Sequence, residues 1–379
     1  MNTDDDGMSE SKKLGRGRFR MINYKCPQCG AYMIYNPAKK CLICEYCGKT
    51  EDIKVLSAEE QAELLQEAEA SSEVWEETVT EETNGEQVMM RHYICKNCGA
   101  EIMTDENTAA TMCGFCGNPT LIEDRLSGET RPAKVIPFSF SREEAIEKFR
   151  AWTKKGKLTP SVFSSSASLD KVTGLYVPYW IYDFDVDAQM QATATRVRHQ
   201  RKGQYEYIYT DHFALDRGVE VGYERIPADA SKKMPDDVMD RLEPFDYKEM
   251  VAFEMPYLSG FQADKYDYKG EELESRAAAR ASSYAETATR NTMNGYATVN
   301  VVHKNIRPKR TKMEYTMFPA WIVNYTYQGK SYFVTMNGQT GKIVGKRPAS
   351  VARAIGWFAG VYAGSFAIVL LILAAMMMG

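Results

Sequence analysis

Residues 174–200, GLYVPYWIYDFDVDAQMQATATRVRHQ, and residues 203–215, GQYEYIYTDHFAL, alternate in side-chain character with period two, across a break at Lys202 and Gly203. A period of two puts successive side chains on opposite faces of an extended chain, so the stretch predicts one long β-hairpin. Tyr205, Tyr207 and Tyr209 fall on one face of its second strand, where a tyrosine stripe predicts a half-buried sheet surface. Asp183, Asp185 and Asp187 alternate on the first strand and predict a polar sheet face, not a paired acid and base.

Working outward, SREEAIEKFRAWTKK begins with a capping box, Ser141 and Glu144, and places Ala145, Ile146, Phe149 and Trp152 on one helical face. An Ala-rich helix is expected from about Glu271 to Met293, and YFVTMNGQTGKIVG predicts two strands joined around Asn337 and Gly338. Pro178 and Trp180 in YVPYWIYDF recur as Pro319 and Trp321 in MFPAWIVNYTY, 141 residues later. Together these make residues 131–347 an aromatic-rich α+β body, with 131–245 and 246–347 as two candidate related halves.

All nine cysteines lie before residue 117. That clustering, with an acidic-then-basic N-terminus that has no apolar core, argues against a secreted disulfide scaffold and for metal binding in a reducing compartment. A shift of 69 maps Cys26, Cys29, Cys44 and Cys47 onto Cys95, Cys98, Cys113 and Cys116, and carries Gly30 onto Gly99 and Gly48 onto Gly117. Each copy reads C-x2-C-x14-C-x2-C. Two residues between thiolates let a tight knuckle present both sulfurs to one tetrahedral ion, and four thiolates leave no position open for catalysis. The repeat therefore predicts two zinc ribbons, 24–55 and 91–124, holding two structural zinc ions. Cys41 maps onto Ala110 and lacks the following Gly, so it is expected to be a spare thiol beside the site.

After Arg353 the chain runs 26 residues without a charge, which as a helix spans roughly 39 Å, enough to cross a bilayer. Residues 354–378 are thus expected to form a single transmembrane helix. Lys342, Lys346, Arg347 and Arg353 precede it and no charge follows, so the positive-inside bias predicts a tail anchor: a cell-membrane protein with a cytoplasmic body and its C-terminus at the outer side. Gly356, Gly360 and Gly364 form a stripe that would let a partner helix approach closely.

Residues 57–87 hold eleven Glu and no Lys, Arg or Asp, and Ser57 with Glu60 forms a capping box; the expectation over 56–90 is an acidic helical linker. Residues 1–23, with Lys12, Lys13, Arg16, Arg18 and Arg20, are expected to be a basic flexible terminus. The composition, 44% hydrophobic and 26% charged over 379 residues with a net charge of −4, is globular and excludes one large basic nucleic-acid footprint. His92, His199, His212 and His303 lie far apart, and no phosphate loop or nucleophile elbow occurs, so no enzyme is expected.

The order of these parts, CPQCG with CEYCG, CKNCG with CGFCG, the YVPYW and FPAW segments, MNGQTGKIVG and the terminal apolar helix, resembles the YdjG-type family of TFIIB-type zinc-ribbon membrane proteins of Gram-positive bacteria. Cys41 departs from that pattern. The resemblance implies action with a second membrane protein and an SPFH (flotillin-like) protein, and recruitment of a phage-shock-type, ESCRT-III-like remodelling protein during envelope stress. The expected fold is multidomain: two small four-cysteine zinc ribbons, an α+β body and one C-terminal transmembrane helix. The expected function is a membrane-anchored scaffold or adaptor. The alternative is a membrane-tethered nucleic-acid-binding regulator using the ribbons and basic terminus, and a third reading is a zinc or redox sensor built around Cys41.

Overall fold

The computed structural model describes residues 16–19, 21–22, 24–54, 74–83, 86–94, 101–105, 108–112, 119–122, 131–160, 163, 172–327 and 330–378. A small N-terminal sheet is formed by β1 (Met33–Asn36), β2 (Cys41–Cys44) and β3 (Thr50–Glu51), all antiparallel. The body follows as a mixed α/β assembly. Its main strands are β4 (Thr108–Met112), β5 (Thr173–Lys202), β6 (Tyr205–Asp229), β7 (Gln262–Asp264), β8 (Thr298–Tyr327), β9 (Lys330–Asn337) and β10 (Ile343–Gly345). Its helices are α1 (Arg142–Lys154), α2 (Asp236–Leu242) and α3 (Gly270–Asn291), and the apolar helix α4 (Val351–Met378) comes last.

β5 and β6 form the hairpin that period two predicts, paired continuously from Tyr179↔Asp229 to Lys202↔Tyr205 apart from one bulge near Tyr182. At about 3.3 Å per residue this arm is roughly 75 Å long. β8 lies antiparallel on the other side of β5, from Thr173↔Ile322 to Thr195↔Thr298. Near its start β5 is buried on both faces: Tyr176 packs with Phe138, Phe261 and Trp321, while Leu175, Val177, Tyr179 and Ile181 pack with Phe318, Met239, Leu242 and Phe245. This is why LYVPYWIY reads as an unbroken apolar run.

Farther along, one face buries Tyr182, Phe184, Val186 and Ala188 against Ala277, Ala281 and Ala285 of α3. The other face carries Asp183, Asp185 and Asp187, partly or fully exposed, with Asp187 paired to Arg307 at 2.6 Å. α1 begins at its capping box: Glu144 N–H donates to Ser141 Oγ (3.3 Å) and Ser141 N–H donates to Glu144 Oε2 (2.8 Å). It buries Ala145 and Phe149, with Ile146 and Trp152 half-buried beside them.

Four expectations change here. The segments YVPYW and FPAW, read as markers of two halves, are antiparallel neighbours in one sheet, with Tyr176 opposite Pro319 and Pro178 opposite Met317, so the boundary at 245 has no counterpart in the sheet. Tyr205 and Ile208 are 73% and 62% exposed, and Tyr207 and Tyr209 are exposed with them, because β8 stops pairing at Thr195 and, among the described residues, no layer lies against the hairpin tip. Within the acidic stretch 56–90, Val74–Thr83 and Glu86–Ile94 are paired strands, not helix. Their Val, Thr and Trp content, on either side of Asn84-Gly85, outweighs the glutamates' helix preference. Ser57 and Glu60 lie outside the described residues. Lastly, within the basic terminus Arg16–Phe19 is a strand in register with Val74–Glu77, Arg16 opposite Glu77.

Candidate metal centre

Two knuckles build the centre. In the first, Cys26 N–H donates to Ala31 O (2.6 Å) and Gly30 N–H to Cys26 O (2.8 Å); in the second, Cys44 N–H donates to Lys49 O (2.8 Å) and Gly48 N–H to Cys44 O (2.9 Å). Gly30 and Gly48 take φ of 74° and 76°, the left-handed conformation that closes each knuckle and that a side chain disfavours. The β1–β2 pairing, Met33 opposite Cys44, brings the knuckles together. The sulfurs of Cys26, Cys29, Cys44 and Cys47 lie within 4.8 Å of one another, with Cys26–Cys47 and Cys29–Cys44 each at 3.5 Å. A tetrahedral ion with bonds of about 2.3 Å needs sulfur separations of about 3.8 Å. Cys26 and Cys44 are buried, Cys29 and Cys47 exposed.

Backbone N–H groups of Cys47 and Tyr46 favour the Cys44 thiolate and hold its pKa down to about 7. Cys29 goes the other way. The Ala31 amide favours its thiolate, yet desolvation and the neighbouring Cys44, Cys47 and Cys26 thiols push it up to about 12. Four sulfurs at this spacing resist ionising together unless positive charge is supplied, and the cluster could hold one metal ion in a closed shell. Cys41 is buried on β2 and lies outside the four-sulfur group; three residues from Cys44 in a strand, it faces the opposite side.

The centre is not a module apart. Ser259 Oγ donates to Met33 O (2.7 Å), and Tyr35 N–H donates to Ser259 O (2.9 Å). The Tyr35 ring meets Tyr257 edge-on at 5.3 Å, and Gly260, at φ 89°, passes so close that an added Cβ would lie 3.1 Å from Ile34 Cβ. Cys26, Met33, Tyr35, Leu42 and Cys44 thus share one apolar core with Phe138, Tyr176, Phe261 and Trp321. No local motif in the sequence marks Ser259 or Gly260; their partners lie more than 220 residues away.

Cys95, Cys98, Cys113 and Cys116 lie outside the described residues. Between them, β4 is built into the body's large sheet, with Ala110 opposite Ala263 of β7 and both fully buried. Gly356, Gly360 and Gly364 lie along α4 with open space where a side chain would be. Val351–Ala374 is one helix long and apolar enough to cross a membrane, and none of it is buried against the body.

No protein-family model and no solved structure matches the chain. It is 40% identical, over 359 residues, to the uncharacterized protein YdjG of Bacillus subtilis (strain 168), an alignment that covers 95% of this chain and 99% of that one. Identity at that level over almost the whole of both chains means a shared fold, and the chain therefore belongs to the YdjG family.

Proposed function

We propose that the chain is a membrane-anchored, zinc-stabilised scaffold or adaptor that assembles a protein complex on the cytoplasmic face of the cell membrane. The observation that carries this reading is the four-thiolate cluster set into the core of the body. A closed shell activates no water, so its ion serves the fold, and the fold presents surface. The tetrathiolate donor set suits zinc, and the offset of 69 assigns a second zinc to Cys95, Cys98, Cys113 and Cys116. α4 is the transmembrane anchor, with the body cytoplasmic by the positive-inside bias. Its glycine stripe offers a seat for the helix of a second membrane protein. By resemblance, the remaining partners are an SPFH (flotillin-like) protein and a phage-shock-type protein in the envelope-stress response.

The test is mass spectrometry of what co-purifies with the full chain from gently solubilised native membranes, beside the same chain ended after Arg353. An SPFH protein and a second membrane protein recovered only with the anchored form is the expected result. Nucleic acid or transcription proteins recovered with both forms would overturn the scaffold in favour of a nucleic-acid-binding regulator.

A further inference from the structure

Sequence far apart meets at the start of α4. The carboxyl end of α1 and the loop after it contribute Lys154, Lys155 and Lys157; some 190 residues later the approach to α4 contributes Lys346 and Arg347, and its first turn Arg353. All six are exposed. The fold locks the two segments together: Ser350 N–H donates to Leu158 O (2.8 Å), the Arg353 guanidinium donates to Thr159 O, and the Arg347 guanidinium lies over the Trp152 ring at 4.3 Å. The Lys157 ammonium lies 4.6 Å over the ring of Trp357, two turns into α4.

No Asp or Glu occurs in residues 148–160 or from 340 onward, and among the described residues none of the six cations makes an ion pair with a carboxylate. The lysines at the end of α1 also suit the negative end of that helix's dipole. That local role does not account for Lys157, Lys346 and Arg347, nor for the contacts that join both segments at the start of one apolar helix. Cations and tryptophan gathered at the start of a membrane helix match the headgroup layer: the indole prefers the interface, and each cation near an anionic surface gains about fivefold in affinity.

We propose that this collar is a binding surface for anionic phospholipid headgroups, which seats the body against the leaflet that α4 enters. The inference rests on α4 being a membrane anchor. It adds that the body itself contributes, through Lys154, Lys155 and Lys157, to how that leaflet is recognised.

The test uses the full chain in lipid nanodiscs of phosphatidylcholine doped with spin-labelled phosphatidylglycerol or spin-labelled phosphatidylcholine. The fraction of each label immobilised by the protein gives the lipid preference. Wild type is expected to favour phosphatidylglycerol severalfold, and the preference should collapse in 1 M salt. The triple variant Lys154→Gln, Lys155→Gln, Lys157→Gln should lose most of it, while Arg201→Gln with Lys202→Gln at the hairpin tip should keep it; circular dichroism checks that both fold. Equal immobilisation of the two lipids by wild type, or an unchanged preference in the folded triple variant, would overturn the collar alone. A chain that stays outside the discs would overturn the anchor and the collar with it.

Discussion

Cys41 and Cys44 are three residues apart on one strand and have opposite fates, because the pleat turns one sulfur toward the cluster and the other away. Cys44→Ser should therefore lose metal from the four-cysteine site and lower thermal stability, whereas Cys41→Ser should keep the wild-type metal content; elemental analysis of purified protein decides, and equal losses would put Cys41 in the shell. Asp229 carries a different kind of signal. It is 1% exposed, accepts a hydrogen bond from Arg276 at 3.2 Å through one oxygen, and has no partner among the described residues for the other. Burial pushes its pKa up to about 6, more than Arg276 pulls it down. A carboxyl raised on folding favours the protonated state, so its contribution is present below about pH 4 and is lost as pH rises through about 6, at most ~3 kcal/mol over that window. Asp229→Asn should flatten this part of the stability–pH curve measured by urea titration. A variant whose curve keeps the wild-type slope between pH 4 and 6 would assign the fall to other groups.

Among the elements, the long hairpin and α1 were legible because their signals are local and repeated. Period two in residues 174–215 marks the hairpin, and the capping box marks α1. The end of β8 at Thr298 is set by a strand more than 80 residues later than the tip it leaves bare, so the exposure of Tyr205 could not be read locally. The strands at 74–94 carried a readable sign, Asn84-Gly85 between β-rich runs, that the glutamate count masked. α3 lies close to the sheet because Ala277, Ala281 and Ala285 present only methyl groups to Phe184 and Val186. Ala281→Leu should force the helix outward and cost about 1–3 kcal/mol in denaturant unfolding. Tyr205→Ser, at the uncovered tip, should stay within about 0.5 kcal/mol of wild type. A neutral Ala281→Leu would mean that the helix has room the packing does not suggest.

For the whole molecule, the thiol spacing announced a small metal module, but not that the module is welded to the body. About 30 residues cannot bury a core of their own, and here Tyr35 and Met33 use the body's aromatic core instead, through the segment Met255–Asp264. That segment holds both N-terminal units: Ser259 bonds to β1, and Ala263 pairs with β4. Metal bound by the four thiolates should then stabilise structure well beyond them. Removing it with a strong chelator should raise amide exchange not only across residues 24–54 but also across Met255–Asp264, while the far arm around Val186 and Ala281 exchanges as before. Gly260→Ala supplies the reverse experiment: a Cβ at φ 89°, 3.1 Å from Ile34, should cost about 1–2 kcal/mol and loosen Met33–Tyr35 in protein that still carries its metal. If chelation changes exchange only within residues 24–54, the contacts through Ser259 carry no coupling, and the four-thiol unit is a passenger on the body instead of part of its core.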